Sequence, residues 1–212
     1  IYDRSVLVDV TTSTVLHNMV MGVALVFLIQ WLFLGDLRSA LIVSATIPFA
    51  LLFAVVILVL NGESANLLSM GAIDFGIIVD ATVIMVENIF RHLAEASAGH
   101  ARPTGFAVPR RFNSKQATIF QASSEVTQAI FFSATIIIAG FLPLFTLSGV
   151  EGHIFGPMAK TYAYALLGGL IATFTVSPAL AAVLLPEKVS ERETIIVRGL
   201  RRFYRRVVDL VL

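Results

Sequence analysis

Ala72-Ile-Asp-Phe-Gly-Ile-Ile-Val-Asp-Ala-Thr-Val-Ile-Met-Val-Glu-Asn88 is an apolar run broken by three carboxylates, Asp74, Asp80 and Glu87. It lies within a longer stretch, about 67–90, that has the length of a membrane span. A bilayer core is roughly 30 Å thick and takes about 20 helical residues to cross. Lipid offers no partner to an unpaired backbone amide, so an apolar run of this length is read as helix. The alternating ten-residue pattern of a membrane β-barrel is not what the run shows. A charge at this depth costs about 2.5–3.5 kcal/mol on insertion scales, and such a residue is read as functional by default.

The rest of the chain repeats the pattern without the acids. Of its 212 residues, 57% are hydrophobic and 14% charged, and the mean hydropathy is +0.87. A soluble domain needs more polar surface than that. Four further runs, at about 15–34, 40–60, 129–147 and 158–185, are long enough to span. The expected fold is an all-α membrane protein: a bundle of about five transmembrane helices. Behind it, at 186–212, Ile195, Ile196, Val197, Leu200, Phe203, Tyr204, Val207 and Val208 interleave with arginines at helical spacing. That spacing predicts a C-terminal amphipathic helix lying on the membrane surface. Pro48, Pro143, Pro178 and the pair Gly168 and Gly169 fall inside spans. They predict kinks or close helix contacts, with a hinge as the sharper alternative. The stretch 94–109, with Gly, Ser and Pro, reads as a flexible loop.

Cations set the orientation. Thirteen of the fifteen Lys and Arg residues fall in the turn 35–39, the connection 91–128 and the tail after Pro186. The opposite loops, 61–66 and 148–157, have none; Arg4 and Lys160 are the exceptions. The positive-inside rule makes the cation-rich side cytoplasmic. Five spans then start the chain outside and end it inside. With Ile1 at the start and no basic-then-apolar leader, the chain is expected to be a piece of a longer one. Net charge is +1 and cysteine is absent. Bulk charge therefore calls for no nucleic acid, and thiol chemistry is excluded.

Depth and face can be estimated for the acids. At about 1.5 Å per residue, Asp74 and Asp80 lie about 9 Å apart along the axis, and Glu87 about 10 Å beyond. At about 100° per residue, Asp80 and Glu87 share a face while Asp74 sits about 120° around. No Lys or Arg lies in the interior of any span. Desolvation disfavours a charged carboxyl, so these groups bind protons or meet a cation from elsewhere. Either route suits a proton relay of Asp74, Asp80 and Glu87, with Thr82 and Asn88 as supporting neighbours. Two other readings stand beside it. One is a structural polar cluster. The other is a cation path, in which oxygen ligands suit hard cations while softer metals prefer imidazole and sulfur. No His or Met lies one turn from Asp80.

Other candidates carry less. His17 and His153 are expected near the outer surface, and His92 and His100 as exposed residues of the cytoplasmic loop. Met19, Met21 and Met70 read as packing or lipid-facing. No phosphate loop, nucleophile triad or zinc motif is present. The chain thus reads as no enzyme, with no cofactor and no metal site of its own, driven by a gradient.

The acid-bearing helix resembles the signature helix of heavy-metal efflux pumps of the resistance–nodulation–division superfamily. Phe33-Leu-Gly-Asp-Leu-Arg-Ser-Ala-Leu41 is similar to that family's first cytoplasmic turn, and Phe141-Leu-Pro-Leu-Phe-Thr-Leu-Ser-Gly-Val-Glu-Gly152 to its outer loop. Multidrug members of the superfamily typically carry adjacent aspartates, whereas this chain has Val79-Asp80-Ala81. The resemblance implies a trimeric inner-membrane proton/cation antiporter of twelve spans, working with a periplasmic adaptor and an outer-membrane channel. It implies that 1–14 end a periplasmic porter region, 15–185 form the transmembrane bundle and 186–212 a cytoplasmic connector. It also implies that Asp74, Asp80 and Glu87 move protons, and that a lysine of a later span pairs with the central acid. Three acids fit cobalt, zinc, cadmium or nickel better than copper or silver, although Ala81 stands where the divalent type commonly has Gly. A multidrug or lipid exporter of the same superfamily, and a non-transporting membrane scaffold, are the rival readings.

Overall fold

A computed structural model describes residues 4–62, 75–99, 112–186, 197–199 and 204. Among them all regular structure is helical, as expected. The elements are α1 (Arg4–Leu34), α2 (Leu37–Leu60), α3 (Phe75–Ser97), α4 (Ser114–Gly140), α5 (Leu142–Phe145), α6 (Gly149–Phe174) and α7 (Val176–Leu184). Among the described residues four stretches are long and apolar enough to cross a membrane: Val8–Leu34, Leu37–Leu60, Ser114–Phe145 and Gly149–Leu184. The fifth expected span corresponds to α3, whose described part carries the charges. Val197–Gly199 and Tyr204 are helical; the rest of the expected amphipathic helix lies outside the described residues.

Several helices outrun their spans. α1 starts at Arg4 and has 31 residues, about 46 Å of helix, so the stretch before Val15 continues the first span as one rod. α4 starts at Ser114, well ahead of the expected span at 129. Gln116 Oε1 accepts from the Asn113 N–H at 3.2 Å, one half of a capping box. Glycine and aspartate turn the chain between α1 and α2. Gly35 takes φ 68, the left-handed cap conformation that glycine adopts without penalty. Asp36 then caps α2, its Oδ2 accepting from the Ser39 N–H and hydroxyl at 2.8 Å each.

The prolines do different jobs. Pro48 lies within an unbroken α2. Pro143 starts the short α5 instead of kinking α4. Pro178 has no N–H to give to the turn before it, and the helix breaks at Thr175, between α6 and α7. Carbonyls near that break find hydroxyls: Thr175 Oγ1 donates to Ile171 O at 2.6 Å and Ser177 Oγ to Ala172 O at 3.3 Å.

α2, α3, α4, α6 and α7 pack on one another, and α1 lies outside them, chiefly against α2. The core joins Ile42, Val43 and Ile47 of α2 to Met85, Val86 and Ile89 of α3 and to Ile119, Ala122 and Ile130 of α4. The pair Gly168 and Gly169 is where α6 meets α2 and α3. A Cβ on Gly168 would lie 2.8 Å from Phe53 Cβ, and one on Gly169 3.0 Å from Ile78 Cγ2 and 3.1 Å from Ile78 O. Small residues let helix backbones approach in a membrane, so the close-contact reading of this pair holds. At one end of the bundle, cations close α7. Lys115 Nζ donates to Ala182 O at 2.6 Å and Leu185 O at 2.5 Å, and Arg38 Nη1 to Leu184 O at 3.2 Å. Those carbonyls have no partner inside the helix, and a cation there also complements the helix dipole.

Gly169→Ala is expected to destabilise the full-length protein by about 1–3 kcal/mol, because the obstacle is partly backbone. Gly140→Ala, whose Cβ would meet nothing within 4 Å, should leave the melting midpoint of the detergent-solubilised protein unchanged.

Candidate functional site

α3 divides into two faces. Ile78, Val79, Thr82, Met85, Val86, Asn88, Ile89, His92 and Leu93 are buried. Asp80, Ile84, Glu87 and Arg91 are exposed, following the helical 4–3–4 spacing of one stripe. Asp80 and Glu87 therefore share a face, about 10 Å apart along the axis, as the spacing predicts. Asp74 lies outside the described residues.

Asp80 stands at the rim of a cavity of about 40 Å³ between α3, α4 and α6, lined also by Ile77, Ile84, Ser133, Ile137 and Leu166. A water needs about 10–15 Å³ measured in this way and two or more polar partners. The cavity thus has room for a water or two beside the carboxylate and the Ser133 hydroxyl, within otherwise apolar walls.

The two expected supports hold α3 by its other face. Thr82 is fully buried, and its hydroxyl lies 2.8 Å from that of Thr173 on α6. Thr173 already donates to Gly169 O at 2.8 Å, so Thr82 is the donor of the pair. Asn88 is buried against α4. Its Nδ2 donates to Ala122 O at 2.8 Å and to Glu125 Oε2 at 3.4 Å, and its Oδ1 accepts from Arg91 Nη2 at 2.8 Å. Both residues set the position of the helix.

His92 departs from expectation. Read as an exposed loop residue, it is instead 6% exposed, because α3 continues to Ser97. Its Nε2 lies 2.7 Å from Glu125 Oε2 of α4, whose side chain is 45% exposed. Asn88, Arg91, His92 and Glu125 form one connected polar cluster at the end of α3 that Lys115 and Arg38 also mark. The signal for His92 was its place four residues after Asn88, on the buried stripe. Glu125 gave no comparable signal. His17 and His153 are exposed. Met19 is half-buried and Met21 exposed; Met70 and His100 lie outside the described residues.

A sequence model described as the AcrB/AcrD/AcrF family matches residues 1–212. The cobalt-zinc-cadmium resistance protein CzcA of Cupriavidus metallidurans is 42% identical over 209 residues, 99% of this chain and 19% of that protein. The nickel-cobalt-cadmium resistance protein NccA of Alcaligenes xylosoxydans xylosoxydans is 37% identical over 98% of the chain and 19% of its own length. The cation efflux system protein CusA of Escherichia coli K12 is 34% identical over 97% of the chain and 19% of its own length. A crystal structure of a heavy metal efflux pump superposes with a TM-score of 0.67 at 38% identity, over 86% of this chain and 17% of that one. The chain thus spans about a fifth of the length of the curated relatives it matches.

Replacing the supports separates their weights. Asn88→Leu leaves Ala122 O and the Arg91 guanidinium without their partner and is expected to cost about 1–3 kcal/mol. Thr82→Val removes one hydroxyl contact and should cost about 0.6–1.7 kcal/mol, the range for hydrogen bonds between membrane helices. Thermal melting of the solubilised full-length protein checks the order.

Proposed function

The chain belongs to the AcrB/AcrD/AcrF family, and from that premise we propose that it is the acid-bearing membrane core of a proton-driven exporter of divalent heavy-metal cations. The observation that carries the reading is the single uncovered stripe of α3 on which Asp80 and Glu87 both stand. Two carboxyls at different depths on one helix face can take up a proton on one side of a membrane and release it on the other. Relatives named for cobalt, zinc, cadmium and nickel resistance support the substrate class over a multidrug, lipid or purely structural role.

Each residue then has a part. Asp80, beside a cavity with room for water, is the central proton carrier. Glu87, about 10 Å along the same face, is the step on the cytoplasmic side. Asp74, six residues before Asp80, is the outer step. Protonation removes the cost of a charge at membrane depth, about 2.5–3.5 kcal/mol, so loading and unloading change which packing of the helix is favoured. A helix with two preferred packings, biased by proton occupancy, is what alternating access needs. The uncovered stripe is the surface on which a later helix, bearing the lysine that the family resemblance implies, would bring its countercharge. Thr82 and Asn88 transmit the movement to α6 and α4.

The same reading gives the surroundings. The chain sits in a bacterial inner membrane, with the end marked by Arg38, Lys115 and His92 in the cytoplasm and its first residues in the periplasm. The whole transporter is a homotrimer coupled to a periplasmic adaptor and an outer-membrane channel.

In the full-length transporter, Asp80→Asn is expected to lower proton-coupled zinc or cobalt transport in everted vesicles by at least about a hundredfold, as befits loss of an essential proton carrier. Glu87→Gln should lower it by about tenfold or more. Undiminished transport by Asp80→Asn at equal protein level would sink the relay.

A further inference from the structure

The relay leaves one titratable cluster unused. His92 is buried and ends 2.7 Å from Glu125, which reaches solvent. Between this pair and the acid stripe runs a continuous string. Arg91 stands on the stripe, four residues after Glu87, and donates to Asn88 Oδ1; Asn88 Nδ2 donates to Glu125 Oε2; and Glu125 meets His92. The string crosses from the uncovered face of α3 to its contact with α4. Histidine is the side chain whose ordinary titration falls between pH 5 and 8, and His92 is the histidine of this string.

Resting on the proton-relay reading, we propose that His92 and Glu125 are positioning residues for Glu87. Their charge state sets how firmly the cytoplasmic half of α3 is held to α4, and so the ease with which Glu87 is moved to release its proton. With Glu125 ionised and His92 neutral, the contact is one hydrogen bond from Nε2–H. When His92 gains a proton the same contact becomes an ion pair between a buried cation and a half-exposed carboxylate, and the attraction between two opposite charges is added to a hydrogen bond already assisted by the carboxylate. A falling cytoplasmic pH therefore tightens the α3–α4 contact and slows the step that discharges protons into an already acid compartment.

Two other charged groups of α3 stand close to this pair among the described residues: Arg91, which is held on Asn88 and whose charge also acts on Glu125, and Glu95, three residues beyond His92, one of whose carboxylate oxygens is buried. From α4 comes Glu125. Lys115 of α4 and Arg38 of α2 are engaged on the last carbonyls of α7, and Asp36 is engaged on Ser39. α6 carries Glu151, His153 and Lys160, all in the half that begins at Gly149 and away from its Phe174 end, and α7 has no charged residue.

The test uses everted vesicles containing the full-length transporter, whose cytoplasmic face is outward, with zinc as the cargo. The external pH is stepped from about 6 to about 8, the window of histidine titration, with the pH difference across the membrane held constant. Wild-type transport should rise by about threefold or more through that window. His92→Gln and Glu125→Gln should each flatten the rise, and Glu125→Asp should restore part of it. A merely structural role would lower the rate by one factor at every pH; that result, or profiles superimposable on wild type, overturns the proposal. Asp80→Asn run alongside separates the failures. If it still transports, the relay itself is wrong. If it is dead while His92→Gln keeps the wild-type profile, only the positioning role falls. Hydrogen exchange on the purified wild-type transporter needs no variant. Amides at 88–97 and 119–127 should be better protected at about pH 6 than at about pH 8, and equal protection overturns the proposal.

Discussion

Every polar group on α3 that faces the bundle must find its partner there, because lipid supplies none. That constraint shapes the molecule more than any apolar contact. Hydrophobic burial exerts little pull between helices in hydrocarbon, so packing, small residues and hydrogen bonds hold such bundles together. α3 meets the requirement with three contacts on its packed side: Thr82 to Thr173, Asn88 to Ala122, and His92 to Glu125. With those groups satisfied inward, the carboxyls of Asp80 and Glu87 are left on the outward stripe. Acids on the packed side would need desolvation and a countercharge within reach; on the stripe they face outward from the packed helices.

The glycine pair of α6 belongs to the same logic. Thr82 and Thr173 are short side chains, and their oxygens meet at 2.8 Å only if the backbones of α3 and α6 come close. Gly169, four residues before Thr173, permits that approach, with Ile78 against its Cα where a Cβ would stand. Its carbonyl also accepts from Thr173. One small residue therefore fixes both the spacing of the helices and the orientation of the hydroxyl between them.

The sequence made the bundle legible where it was apolar and misled where it was polar. Long hydrophobic runs announced helices, and the seven-residue spacing of Asp80 and Glu87 announced their common face. The stretch 114–128 read as a connector because it is rich in Ser, Thr and Gln, yet it is helical. Thr118, Ser123, Ser124 and Thr127 each return a hydrogen bond to the carbonyl four residues back, so their polarity is consumed inside the helix. Once α4 is extended in this way, Glu125 comes to lie beside α3, and His92 is buried where an exposed loop was expected. The partnership joins residues 33 apart across a connection whose path no periodicity encodes, which is why neither residue could be paired from sequence.

The contacts that hold α3 are also suited in size to a helix that moves. Measured hydrogen bonds between membrane helices average about 0.6 kcal/mol and reach about 1.7. One elementary charge crossing a membrane yields about 2.3 kcal/mol per 100 mV. On the proposed reading, a single proton can therefore offset the loss of between one and about four of these contacts but cannot dismantle the apolar core formed by Ile42, Ile47, Met85, Ile89 and Ile130. The core then acts as a fixed bearing, and the polar contacts along α3 are the part that a proton can exchange. A helix pinned by strong ion pairs along its packed face would be too firmly held for that driving force. One with no polar contacts would have no defined second position to move to.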